Sequence, residues 1–394
     1  MSIDSLLDRD PRWQASGSAT HPDTVVLSVC NTSRNLGDQP FPGISGSGAR
    51  EAVEERLLAV FETLGLFESG EYFRLPALQP AERQLLAERQ LIPPAMITPR
   101  RGQGVYVSHD QCLGILVNDE NHCCIRVLAA GLSPRDAWAR AGELDDRLNS
   151  LLDFAYSPQW GFLTRELRHA GTGLRMSLLM HLPACAHESA LADAGVLQAI
   201  GYDAGNRDLE FSGVGTGIPG AAPPPSREGG DPVYSQALYN GMDGFASRGL
   251  YETEGDLFQL RNRSTLGHSE DELVLRLKQC ATDIVRKEVE LRDRLREQYA
   301  DLLEDRVERA RALATSARLI PFDESFTLLS SLRLGVTLGL ISDRTVADLN
   351  GSLIHCQGAH LQRQLQPGAD TVDGLSLKRL RARQFKKLFT PAKG

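Results

Sequence analysis

A run of five polar residues, Asn118-Asp119-Glu120-Asn121-His122, lies between two apolar stretches, LGILVN at 113–118 and CCIRVLAAG at 123–131. It sets two carboxylates, two amides and an imidazole at a strand end, where sites are commonly built. Cys123 and Cys124 follow His122 directly and offer thiolate ligands for a metal. Adjacent strand residues point to opposite faces, however, so both thiols cannot join His122 in one site. A second candidate is Arg175, the arginine that opens the apolar run LRMSLLMHLP after a glycine-bearing loop. On sequence alone that segment reads as a buried strand with a turn before it. The third is the C-terminal stretch SLKRLRARQFKKLFTPAKG, with Lys378, Arg379, Arg381, Arg383, Lys386, Lys387 and Lys393 and no acid. A solvated helix face is the first reading of it, and a partner-binding patch the second.

The elements that must position these groups follow from periodicity. TVVLSVC at 24–30 is a β-branched strand after the turn-forming His21-Pro22-Asp23. Apolar steps of three and four predict helices over 48–64 and 79–89, the second with Pro80 in its first turn. GVYVS at 104–108 joins the two apolar stretches above as strand candidates. Ser133-Pro134 starts an amphipathic helix through Leu152, with Ala137, Ala141, Leu144, Leu148 and Leu151 inward. Residues 212–232 have too much Gly and Pro to pack and read as an exposed flexible insertion. From Ser269 to about Ile320 the pattern is one long charged helix, opened by a Ser269/Glu272 capping box. Its seam is Leu273, Leu277, Cys280, Ile284, Leu291, Leu295 and Leu302. Shorter helices are expected over 323–339 and 343–362.

The chain has 394 residues, of which 41% are hydrophobic and 24% charged, enough for a substantial core and two domains. With 51 acidic against 43 basic residues the net charge is -8, which argues against general nucleic-acid or anionic-membrane binding. The start, MSIDSLLDRDPRW, lacks the basic-then-apolar pattern of an export signal and no apolar run approaches a membrane span, so a cytoplasmic location is expected. Seven scattered cysteines with no C-x-x-C pair give neither a disulfide framework nor a zinc ribbon.

Four separated segments occur in a telling order: ILVNDENH at 115–122, GFLTRELRHAGTGLRMSLLMHLP at 161–183, SRGLYETEGDLFQLRNRSTLGHSEDE at 247–272 and LRLGVTLGLI at 332–341. Together they resemble the ATP:guanido phosphotransferases, and most closely the bacterial protein-arginine kinases. VVLS with SRNL at 25–36, AERQLIPPAM at 87–96 and GAHLQ at 358–362 extend the resemblance over nearly the whole chain. It implies an α/β (α+β) catalytic domain over 22–264, an antiparallel sheet flanked by helices, and then an all-helical domain over 265–394 that supports a homodimer. It also implies ATP with magnesium as phosphoryl donor and a protein arginine as acceptor.

In such chemistry charge spreads over phosphate oxygens, so positioning and cationic clamping carry catalysis. Arginine suits the clamp because its planar fork binds phosphate bidentately and keeps its charge. A carboxylate holds the acceptor guanidinium and takes its proton. The family pattern Asn-Glu-Glu-Asp-His reads here as residues 118–122. The resemblance therefore implies Glu120 as guanidinium anchor and base, with Asp119 beside it. It implies Arg175 and Arg248 as phosphate clamps, with Arg126 as a third.

Other positions depart from the family. Its two N-terminal phosphate-binding arginines fall within Leu27-Ser28-Val29-Cys30-Asn31, and a third falls at Cys124. At roughly 1.5–3 kcal/mol for each charged hydrogen bond, three losses remove several kcal/mol of nucleotide binding. The family's active-site cysteine falls at Glu166, which has either a catalytic place or a salt bridge to Arg165 or Arg168. Glu252 and Glu254 stand where the family has a further glutamate. Two functions of different class follow: a divergent phosphotransferase, or a non-catalytic dimeric scaffold that binds arginine or phosphoarginine.

Overall fold

The computed structural model describes residues 3, 6, 8–14, 19–191, 195–214, 255–364 and 373–390. Arg248, Glu252, Glu254, Lys393 and most of the 212–232 stretch lie outside the described residues.

The centre is an antiparallel sheet of eight strands. They are β1 (Val25–Arg34), β2 (Gly70–Arg74), β3 (Gly104–Ser108), β4 (Leu113–Val117) and β5 (Cys123–Ala130), with β8 (Leu174–His181), β9 (Leu209–Gly213) and β10 (Leu257–Asn262). Their order across the sheet is β2-β3-β4-β5-β1-β8-β10-β9. A two-stranded ribbon, β6 (Tyr156–Ser157) with β7 (Gly161–Phe162), lies beside it. β1 is central and wholly buried, its apolar first half and its polar second half, residues 31–34, alike. β9 takes in Ser212 and Gly213, which the sequence assigns to the insertion. Ser212 pairs with Gln259 and Gly213 with Phe258, and this ladder outweighs weak strand propensity.

The two sheet faces carry separate cores. On the first face Cys30, Cys123, Ile125 and Met176 meet α1 (Ser47–Thr63), α3 (Pro134–Asn149) and α6 (Glu270–Gln298), with α4 (Pro183–Leu191) and α5 (Gly195–Asn206) alongside. On the second face Leu27, Val29, Cys124 and Leu128 meet α2 (Pro80–Glu88), α7 (Ala300–Ser316), α8 (Phe322–Thr337) and α9 (Val346–His355). Phe385 of α11 (Gly374–Phe389) closes that side, beyond the short α10 (Gly358–Arg363). Cys123 and Cys124 thus go to opposite faces, as the strand period requires.

The long C-terminal helix is two helices. The backbone leaves the helix at Tyr299, with φ -135° and ψ 37°. Before it, Leu277, Ile284, Leu291 and Leu295 lie in the first core; after it, Val307, Ala310 and Ala314 lie in the second. The break turns the chain from one sheet face to the other, which a straight helix cannot do. The seam therefore shifts: Leu303 is buried while Leu302 is 62% exposed. The Ser269/Glu272 capping box forms as expected. Similarly, 343–362 divides into α9 and α10 at Cys356-Gln357. α3 ends at Asn149, which leaves Leu151 45% exposed and Leu152 buried.

The basic tail is not simply a solvated face. Arg381 is buried: its Nε–H donates to the Cys356 carbonyl at 2.8 Å and Nη1 to the Ile320 carbonyl at 3.1 Å. It fastens α11 to two chain breaks, while Arg379, Arg383 and Lys387 stay exposed. Among the described residues no helix is long and apolar enough to cross a membrane.

Candidate functional site

The 118–122 segment is a tight turn closed by the Asn118 amide donating to the His122 carbonyl at 2.9 Å. Asn118 takes a left-handed conformation (φ 55°), which an asparagine tolerates better than most residues. Its Nδ2 donates to the carbonyls of Arg50 and Gly102. Asn121 Oδ1 accepts from Asn35 Nδ2 at 2.7 Å and from the Arg165 amide at 3.0 Å. His122 Nδ1 accepts from the Leu36 amide at 3.0 Å, which leaves Nε2–H to donate to the Pro40 carbonyl at 3.1 Å. That pairing fixes a neutral imidazole, and burial holds its pKa below the ordinary value. Three of the five polar residues therefore build the turn. The other two, Asp119 and Glu120, are half-buried and face a narrow recess.

The opposite wall of that recess comes from the second sheet face. Antiparallel pairing sets Asn31 of β1 level with Arg126 of β5 on one side and Arg175 of β8 on the other. Arg126 is buried; its Nε–H donates to the Gln90 carbonyl at 2.7 Å and Nη1 to Asn31 Oδ1 at 2.9 Å. Asp119, Glu120, Arg126, Arg175 and Asn31 line one narrow recess that opens to solvent. Carboxylates on one wall and guanidinium groups on the other can hold a cationic acceptor against an anionic donor. Cys124 is buried on the same sheet face. Burial, with Asp119 adding to it and Arg175 opposing it, pushes its thiol up to about 11, so the site has no ready thiolate there.

Arg175 is placed by the glycine-bearing turn before it. Gly171 and Gly173 have φ of 98° and 66°, and a Cβ on Gly173 would meet the Ser33 carbonyl and Arg34 Nη1 at 2.6 Å. Only glycine fits so close an approach. Arg34 is buried, stacks 3.6 Å over Phe162, donates to the Ser33 and Thr172 carbonyls and pairs with Asp145 at 2.5 Å. It ties β1, α3 and the turn together, a role that nothing local in the sequence announces.

A second shallow recess adjoins the first, and Asn31 and Arg175 line both. Its other walls include Arg168, His169, Glu210, Arg261 and Arg263. Arg261 pairs with Glu210 through two hydrogen bonds of 2.8 and 3.2 Å. Glu166 is held by Arg168 at 2.6 Å, the salt-bridge alternative, and does not line either recess. The sequence reading passes over Arg261 and Arg263, although arginines two apart on a strand point to one face.

Burial, together with Arg175, Arg168 and Arg261, drives His169 down to about 3. His181 and His360 are likewise held below their usual value, burial being the first cause of each. For His360 the contacts agree: its Nδ1–H donates to Glu88 at 2.6 Å and its Nε2 accepts from Arg89 Nε–H at 3.1 Å, a neutral ring. A histidine that stays neutral in the fold but charges when unfolded contributes stability that is complete above about pH 6.5 and lost as pH falls. Each of these adds up to about 1.4 kcal/mol of loss per pH unit below that point. The urea midpoint should fall between pH 7 and pH 5, and His169→Asn should flatten the slope. A midpoint unchanged over that window contradicts the neutral assignments.

Comparison with known proteins bears on the family and the fold. The family model described as "ATP:guanido phosphotransferase, C-terminal catalytic domain" matches residues 52–200, and "Protein-arginine kinase McsB C-terminal domain" matches 300–393. The chain is 33% identical over 376 residues to the protein-arginine kinase of Symbiobacterium thermophilum, covering 92% of this chain and 93% of that one. It is 30% identical over 367 residues to that of Halothermothrix orenii, with the same coverage of 92% and 93%. Among solved structures it resembles a lombricine kinase, with a TM-score of 0.52 and 18% identity over 73% of this chain and 76% of that one. It also resembles the duplicated taurocyamine kinase of Schistosoma mansoni, with a TM-score of 0.53 and 16% identity over 80% of this chain and 40% of that longer one. These two likenesses concern the fold. With the sequence relatives and the antiparallel sheet flanked by helices, they lead to one conclusion: the chain belongs to the protein-arginine kinase family of ATP:guanido phosphotransferases.

Proposed function

We propose that the protein transfers the γ-phosphoryl group of ATP to the guanidino group of an arginine side chain in a protein. The observation that carries this reading is the recess in which Asp119 and Glu120 share walls with Arg126 and Arg175. ATP is a substrate here, and its magnesium ion travels mainly on the phosphate oxygens. The guanidinium donor set of the recess fits those oxygens. Glu120 anchors the acceptor guanidinium and takes a proton from the attacking nitrogen. A nitrogen–phosphorus bond forms, and the bond from the γ-phosphorus to the β,γ-bridging oxygen breaks, leaving ADP. Arg175 stabilises the charge that spreads over the transferred group, with Arg126 beside it and Arg248 as a further clamp by family likeness.

One observation favours a second reading. The stretch 27–31 and Cys124 supply no cation where the family pattern has arginines, and Arg126 already spends two donors on Gln90 and Asn31. A site so depleted suits a scaffold that binds arginine or phosphoarginine without transfer. Incubation of the full chain with Mg-ATP and an arginine-rich protein separates the two. Acid-labile phosphoarginine is the expected product. Absence of nucleotide binding up to millimolar concentration, measured by calorimetry, removes the kinase reading and leaves the scaffold.

The family likeness also supports a homodimer through the C-terminal helices, where Leu302 and Leu313 stand exposed on α7. Sedimentation should give twice the chain mass, and a monomer at micromolar concentration refutes it.

A further inference from the structure

The two recesses share Asn31 and Arg175 as a common wall, and none of their cations comes from β1. Arg261 of β10 pairs in register with Ser177 of β8. Arg263 follows the last residue of β10, and both arginines line the recess that contains Arg175. Arg175, Asn31 and Arg126 stand level across β8, β1 and β5, with Arg261 and Arg263 at the β10 end of that row. Arg175 and Asn31 form the junction, and Glu120 lies on the far side of it.

The charge balance of the second recess points to an anion. Four guanidinium groups, those of Arg168, Arg175, Arg261 and Arg263, and one carboxylate, Glu210, stand on its walls; Glu210 pairs with Arg261, and Glu166, outside the recess, pairs with Arg168. Arg263 is exposed and makes no ion pair among the described residues. His169 faces the same space, and the arginines help to keep its ring neutral. Clustered like charges are costly unless a partner of opposite charge occupies the site for part of the working cycle. Planar forks at successive strand positions suit phosphate oxygens.

We propose that Arg261 and Arg263 bind the polyphosphate chain of the nucleotide, replacing the cations that the stretch 27–31 and Cys124 do not supply. The inference rests on the phosphotransfer reading for the identity of its ligand. The α- and β-phosphates lie over β10, and the γ-phosphoryl group reaches Arg175, where it is presented to an acceptor held by Glu120. The Glu210–Arg261 pair is a resting contact that the phosphate displaces.

Calorimetric titration of the full chain with Mg-ATP and separately with tripolyphosphate tests this. Arg263→Ala removes an exposed side chain, and Arg261→Gln replaces a part-buried guanidinium by a polar group that can still hydrogen-bond Glu210, so neither should prevent folding. Each should raise Kd for both ligands by about tenfold to a hundredfold. Arg379→Ala, on the outer side of α11, should leave both unchanged. His169 supplies a second readout, since bound phosphate should raise its pKa in an NMR titration. If the unaltered chain binds Mg-ATP and both variants bind it equally well, the inference is overturned while the kinase reading stands. If the unaltered chain binds tripolyphosphate but not Mg-ATP, and Arg263→Ala loses that binding, the phosphate site stands and the kinase reading falls. Binding of neither ligand to the unaltered chain overturns both.

Discussion

Glu120→Gln should lower phosphoarginine formation by about 10²–10⁴-fold while leaving Mg-ATP affinity within about twofold. The amide keeps the size of the carboxyl group and can still accept a hydrogen bond, so the turn it sits on should not change. It cannot take a proton and carries no charge to hold a guanidinium. The turn itself is fixed by Asn118, Asn121 and His122, whose partners are backbone groups and Asn35, so a local collapse is not expected. In the proposed mechanism the phosphate contacts come from the arginines across the recess, so nucleotide affinity should survive. Equal loss of transfer and nucleotide binding would place Glu120 on the phosphate side. Full activity would hand the base role to Asp119, which shares the recess.

The largest effect on stability is expected at Arg34. Arg34→Met should destabilise the fold by about 3–5 kcal/mol, because it leaves the Asp145 carboxyl group buried without its partner. Burial pushes the Asp145 pKa up and Arg34 opposes that shift, so the carboxyl group should take up a proton more readily in the variant. Two backbone carbonyls, of Ser33 and Thr172, lose their donor as well. Arg34→Met with Asp145→Leu should recover part of the loss, since the orphaned charge is gone, but not the part due to the carbonyls. Urea unfolding of the two single variants and the double gives the coupling. The Thr172 contact supports the turn that aims Arg175, so Arg34→Met should also weaken Mg-ATP binding. A loss below about 1 kcal/mol with unaltered nucleotide affinity would show that the pair is dispensable.

Much of the fold is legible because its signals are local. The strands at 104–108 and 113–117, the helix after Ser133-Pro134 and the Ser269 cap follow from alternation, helical spacing and capping chemistry within a few residues of each element. The break at Tyr299 is different. No proline or glycine marks it, and only the need to cover both sheet faces makes residues before and after it bury in separate cores. The same holds for Ser212 and Gly213, which become strand because β10 offers them a partner, and for Arg381, whose partners lie 25 and 61 residues away.

Residue types and spacing alone were enough for the family, the order of the chemistry-bearing segments, the alternation that sends Cys123 and Cys124 apart, and the loss of the family's arginines within 27–31 and at Cys124. Those are statements about residue type and short spacing, which the chain carries in one dimension. Only the tertiary structure decided that His122 is a neutral strut rather than a reacting group, that Glu166 is engaged by Arg168, and that Asn31 bridges Arg126 and Arg175. It alone brought Arg261 and Arg263 to Arg175. Charge and hydrogen bonding act over a few ångströms, and the pairing register of β10, β8, β1 and β5 sets those distances between residues far apart along the chain.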